Sequence, residues 1–269
     1  MQLPIVVPAP LVIQHAEAFK DLFENRKQYR HFQNYLTGLM VLPNKSMANI
    51  SRCLLDSADK TNISRFMSEA PWFQEQVNDR RLTSMNQETK QVRRSKAESA
   101  LAIDDSLCEH VGSLFEYVDR HYDHADSDYP IAHNPVTSHY VSGAVRFPVD
   151  LRLYRRYEEI TQWATFVLKH FSGTTIPKKK KERQKLHKQV DETLLKDPEF
   201  LVWHNHFRTK IDLAIDLLRS AIQHRLRLMF CSLMAGTCLK LWWPKPHVAT
   251  KSGSACSRRI ATWKRPAFN

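Results

Sequence analysis

The chain has 269 residues, of which 42% are hydrophobic, and its 40 Lys and Arg against 28 Asp and Glu give a formal net charge of +12. That length allows a sizeable core in one large domain or two small ones, and the basic balance suits a polyanionic partner. The cysteines (Cys53, Cys108, Cys231, Cys238 and Cys256) are odd in number and include no close CxxC pair, which argues against a disulfide framework or a structural zinc site and suits a reducing cytoplasm.

Residues 1–15, with Pro4, Pro8 and Pro10, read as an extended leader. Leu3–Ile13 is apolar, but no cationic region precedes it and the prolines interrupt it, so it does not read as a signal peptide. No uninterrupted apolar run approaches the roughly 18 residues of a spanning helix, so no membrane partner is expected. Residues 16–96 lack strand-like alternation and read as a helical region. Within it, Asn44 can cap a helix running to about Ser57, and Thr61 can cap a second that carries Ile63, Phe66 and Met67 on one face. Two short helices around a tight turn allow a helix-turn-helix whose second helix enters the major groove. Lys60, Asn62 and Arg65 would then contact phosphate or base edges. An ordinary α-hairpin with a solvated polar face fits the same residues. Gln74–Lys96 reads as a third helix.

Ser99–Tyr157 is the β-rich region. Ser99–Cys108 carries a short apolar run (Leu101, Ala102, Ile103) that ends in Asp104 and Asp105. Acids at the carboxyl end of a strand stand where ligands gather in open sheets, and in a basic chain they suggest metal-assisted phosphoryl chemistry. The simpler alternative is that Asp105 and Ser106 cap a following helix or turn. Gly112–Val118 reads as a second strand, and Val136–Val141 with Val145–Leu153 as a hairpin across Ser142-Gly143-Ala144. The histidines of the loop His121–His139 match no helical metal spacing and read as solvated. Arg155 and Glu159 read as a salt-bridged stretch leading into Thr161–His170. Ile176–Lys188 carries Lys178, Lys179, Lys180, Lys181, Arg183, Lys185 and Lys188 with one acid, Glu182. This run serves either as a phosphate-contacting surface or as a solvated linker. Ile211, Ala214, Ile215, Leu218 and Ile222 form a helical stripe.

Five phrases, in order, carry a resemblance over some three-quarters of the chain, from about Phe23 to Phe207. They are Asn34-Tyr35-Leu36-Thr37-Gly38-Leu39; Leu54 through Asn62; Asp104-Asp105-Ser106-Leu107; His133-Asn134-Pro135-Val136-Thr137-Ser138; and Leu153 through Glu159. Together they resemble the DDE transposases of bacterial insertion sequences. The resemblance implies an α+β chain: a helical N-terminal domain followed by a ribonuclease-H-like mixed sheet with flanking helices, spanning residues 97–224. It also implies cutting and rejoining of double-stranded DNA at element ends with Mg²⁺ held by two Asp and one Glu, in proteins that in some cases assemble as homo-oligomers. Asp105 matches the first acid, with Asp104 beside it; the other two acids have no counterpart. The implied location is the cytoplasm, at the nucleoid.

From Leu217 to Asn269 there is no Asp or Glu, although the acid frequency of the preceding chain would give about seven. After His224 no hydrophobic period is read, and residues 225–269 read as a basic aberrant tail. The tail is either a nucleic-acid-binding arm or the product of a shifted reading frame. Under the second reading the ribonuclease-H-like sheet is incomplete and lacks its fourth strand, and the chain does no cleavage. A non-catalytic DNA-binding inhibitor of the parent transposase is the alternative, and a misfolded product a third. One codon choice for Leu233–Cys238, CTG-ATG-GCT-GGT-ACC-TGT, gives Asp-Gly-Trp-Tyr-Leu in another frame, which resembles the family's phrase around its second Asp. The coding DNA downstream of Leu226 is therefore expected to supply an Asp-x-Trp-Tyr phrase overlapping Leu233–Thr237 in an alternative frame. A stop codon there, or no acidic motif in either other frame, would contradict the frame-shift reading.

Overall fold

The computed structural model describes residues 4–55, 61–92, 99–111, 115–123, 126–177, 179–226, 228, 230–233 and 237–240. The chain begins with α1 (Pro10–Ala16), a 3-10 helix (Glu17–Leu22), α2 (Arg26–Val41), α3 (Met47–Cys53), α4 (Asn62–Glu69) and α5 (Gln74–Glu88). The expected leader is thus partly helical: Pro10 opens α1, where its missing N–H costs nothing, and Val12 and Ala16 are buried. Ahead of it, Ile5 pairs with Leu54 in a parallel bridge. The caps also differ by position. Ser46, not Asn44, caps α3, and Thr61 makes no side-chain capping bond to α4.

The phrase around Asn34–Leu39 has a packing explanation. Thr37 is buried and its Oγ1 accepts the backbone N–H of Ala9 at 3.1 Å, which holds the leader to α2. At Gly38 a Cβ would lie 2.5 Å from Ile50 Cγ2, so only glycine lets α3 approach this closely. Ile50 and Ile63 then close a small core with Leu42 and Leu54. A second cluster gathers Val12, Phe23, Tyr29 and Phe66.

α5 joins the helical region to the sheet. Arg80 makes two hydrogen bonds to Asp21, at 2.8 and 2.7 Å, while Leu82 on another face is fully buried in the sheet's core. Arg81 and Asn78 donate to the carbonyls of Pro148 and Val149.

The sheet has seven strands among the described residues: β1 (Ser99–Asp105), β2 (Cys108–Glu109), β3 (Asp119–Arg120), β4 (Ile131–Ser142), β5 (Val145–Tyr154), β6 (Phe230–Leu233) and β7 (Thr237–Lys240). β4 lies between β5 and β1, antiparallel to both. β6 runs parallel to β1 on its other side, with Ala102 opposite Ser232, and β7 returns antiparallel to β6. The fold is mixed α+β, with the layout of a ribonuclease-H-like domain. Two expectations are corrected here. Phe115–Val118 forms a turn rather than a strand, with Tyr117 at φ 63°, while residues 112–114 lie outside the described residues. The sheet also has a strand parallel to β1 in the place expected to be empty, because Leu226, Leu228 and Cys231 are buried in the core. Residues 241–269 of the tail lie outside the described residues.

Between β5 and the last helix stand α6 (Tyr157–Ile160), α7 (Trp163–His170), α8 (Lys180–Leu194) and α9 (Pro198–His206), with their own core of Trp163, Phe166, Val167, Val190, Leu194 and Phe200. α10 (Lys210–Gln223) lays Leu213, Ala214, Leu217 and Ala221 across the sheet, against Leu101, Ile103, Val136 and Tyr140. Among the described residues no helix is long and apolar enough to cross a membrane.

Gly38→Ala is expected to destabilise the protein by about 1–3 kcal/mol, since the methyl group must push α3 away. Thermal unfolding followed by circular dichroism checks this; an unchanged midpoint would contradict the close approach.

Candidate active site and nucleic-acid interface

Strand geometry decides where the two adjacent acids go. Successive side chains leave opposite faces of a strand, and β1 alternates accordingly: Leu101 and Ile103 are buried, Ala102 and Asp104 exposed. Asp105 shares the face of Leu101 and Ile103, under α10. Asp104 shares the face of Ala102, with its Oδ1 accepting the backbone N–H of Asp105 at 3.0 Å. Asp104 and Asp105, adjacent in sequence, thus leave opposite faces of the strand.

Asp105 already has a cation. The Lys210 ammonium at the start of α10 lies 2.5 Å from Asp105 Oδ2 and 5.1 Å from the centre of the Tyr154 ring. A capping box fixes that helix start: Thr209 Oγ1 accepts the N–H of Asp212, and Asp212 Oδ2 accepts the N–H of Thr209. Sequence reasoning missed Lys210, although a signal exists. A cation in the first helical turn opposes the helix dipole, so a lysine directly after an N-cap gains from any carboxylate the fold brings near it. Nearby, His121 is buried rather than solvated, and its ring centre lies 6.3 Å from that of Tyr154. Burial pulls its pKa below the ordinary imidazole value; Asp119 and Glu159 oppose this, and Lys210 and Arg156 add to it.

On the other side of β1, β6 belongs to the acid-free stretch from Leu217 onward. β6 therefore supplies no carboxylate beside Asp105. The last acids before that stretch are engaged elsewhere: Glu199 with Lys169, Asp212 in the capping box and Asp216 with Arg219. Magnesium takes protein carboxylates and further oxygens in an octahedral shell, and two-metal sites need acids that hold both ions. These residues do not fit it: Asp105 is already paired with the Lys210 ammonium, and the neighbouring strand β6 adds no acid. Among the described residues no group of three or more His, Cys, Asp or Glu is arranged to hold a metal ion.

The expected DNA contacts divide in the same way. Lys60 and Lys178 lie outside the described residues. Asn62 and Arg65 sit three apart on α4, with Ile63 and Phe66 turned into the core. Lys179 precedes α8 and Lys180 begins it. Lys181 and Lys185 are exposed one turn apart, and Lys188 extends that face. Arg183 points the other way: it donates to Glu158 Oε2 at 2.7 Å and to the Pro177 carbonyl at 3.1 Å. It therefore ties α8 to α6 rather than reaching outward.

Glu158 is the centre of that tie. Arg156 donates to it at 2.8 Å, and His187 lies between Glu158 and Asp191 while stacking on Trp163 with ring centres 3.9 Å apart. Burial works to raise the Glu158 pKa, but His187, Arg183 and Arg156 together hold it below the ordinary carboxylate value. Arg155 and Glu159 form the expected ion pair, at 2.7 Å. Since the folded Glu158 pKa is lowered, its stabilisation is present above the ordinary value and lost as pH falls through the folded one. Tryptophan fluorescence is expected to show α6–α9 loosening at acid pH. Glu158→Gln should remove roughly 2 kcal/mol at neutral pH and flatten that acid dependence; an unaltered acid transition would contradict the assignment.

A scan against protein-family profiles matches residues 18–200 to the DDE superfamily endonuclease family. Searches of curated proteins and of solved structures give no match. The matched span takes in α2 to α5, β1 to β5, Asp105 and the lysine-rich helix, so the chain belongs to the DDE superfamily endonucleases.

Proposed function

We propose that this chain is a DNA-binding member of its family that has lost strand cleavage. It derives from an insertion-sequence transposase whose reading frame changes after about His224, ahead of β6. One observation carries this reading: the strand parallel to β1, where a second acid would face Asp105, lies in a segment without any Asp or Glu. An in-line displacement needs charge stabilisation at both the attacking and the leaving oxygen, and a single carboxylate paired with Lys210 offers neither.

DNA binding needs no such centre. α3 and α4 have the order of a helix-turn-helix with Asn62 and Arg65 on the second helix, and the Lys181, Lys185 and Lys188 face of α8 supplies charge for backbone phosphates. Such a protein would occupy double-stranded element ends at the nucleoid and compete there with an intact transposase.

Binding of the full chain to duplex DNA is expected to weaken steeply with salt, log affinity falling by about 0.9 per phosphate neutralised for each decade of salt concentration. Lys181→Glu with Lys185→Glu should flatten that slope. With Mg²⁺ or Mn²⁺ present, strand cleavage should stay at background and not respond to Asp105→Ala. Cleavage that Asp105→Ala abolishes would overturn the loss of catalysis, and absent binding at low salt would overturn the binding role.

A further inference from the structure

We propose that Lys210 is the resident counter-ion of Asp105, its ammonium taking the cation position at the carboxyl end of β1 and keeping divalent metal away from this chain. The inference rests on the reading of Asp105 as the family's first acid. It concerns metal uptake alone, whatever the chain does with DNA.

Three features hold the ammonium there. The Thr209–Asp212 capping box fixes the first turn of α10, and so the root of the Lys210 side chain. Leu213 and Leu217 anchor the same helix to the face of β1 that carries Asp105. Tyr154 places its ring 5.1 Å from Nζ, so the ammonium meets a π-face on one side and a carboxylate on the other. A divalent ion approaching Asp105 would have to displace this pair. Neither adjoining position offers it a second carboxylate, because Asp104 leaves the opposite face of the strand and β6 carries no acid.

The Lys210 side chain also carries a local cost. At the first position of α10 its charge opposes the helix dipole, and Asp105, 105 residues away in sequence, compensates that cost. Lys210 therefore acts as a positioning residue that closes the strand end.

The test is Mn²⁺ binding to the full chain, read by the electron paramagnetic resonance signal of free Mn²⁺, for the wild type, Asp105→Asn, Lys210→Met and the double variant. The wild type and Asp105→Asn are expected to give superimposable curves. Lys210→Met should bind about tenfold more tightly at one site, and the double variant should lose that gain. Thermal midpoints give a second readout: the losses of the two single variants should be non-additive, as for a directly interacting pair. If Lys210→Met fails to fold, the comparison of wild type with Asp105→Asn decides alone. Asp105-dependent Mn²⁺ binding in the wild type, no Asp105-dependent gain in a folded Lys210→Met, or additive thermal losses would each overturn the proposal. DNA binding and cleavage, measured separately, test the functional reading.

Discussion

Parallel pairing between β1 and β6 positions the rest of the β-rich region. Two parallel neighbours cannot be joined by a tight turn; the chain must leave one end of the sheet and return to the other through a crossover. Here that crossover passes through β4, β5, the α6–α9 insertion and finally α10, which packs Leu213 and Leu217 across the sheet before Leu228 and Cys231 enter the core. Because α10 must start near the carboxyl end of β1 to make this return, its first residue meets the last residue of that strand. The Lys210–Asp105 contact thus follows from the topology.

The same arrangement separates what the chain keeps from what it lacks. The core under α10 is apolar and closed, and α5 fastens it to the amino-terminal helices through Leu82 on one side and Arg80–Asp21 on the other. The α6–α9 insertion is held as firmly, by Glu158 at the meeting point of Arg156, Arg183 and His187. Nothing in these contacts depends on acids in the last fifth of the chain. The chain thus keeps this architecture through β6, and with it a basic exposed face on α8, although β6 itself carries no acid.

Much of this is legible in the residues. The run Leu101–Ile103 ending in acids, and the two apolar stretches around Gly143, alternate as strands do, and the stripe from Ile211 to Ile222 has helical spacing. Other features depend on contacts that no local pattern holds. Leu114, Phe115, Tyr117 and Val118 are apolar enough for a strand, yet Phe115 and Tyr117 are exposed in a turn where Arg155 covers the Tyr117 ring. β6 itself is only the four residues Phe230–Leu233, too short for its alternation to stand out, and it enters the core through Cys231 after Leu226 and Leu228. The separation of Asp104 from Asp105 follows from strand alternation alone. The pairing of Asp105 with Lys210 does not, since only the folded crossover brings them together.

The most direct test of an incomplete, ammonium-paired strand end is a crystal structure of the full chain grown with Mn²⁺, with anomalous scattering recorded to locate the metal. No anomalous peak is expected at the carboxyl ends of β1 and β6, and Lys210 Nζ should lie within hydrogen-bond distance of Asp105. A Mn²⁺ ion coordinated by Asp105, with Lys210 displaced, would contradict it.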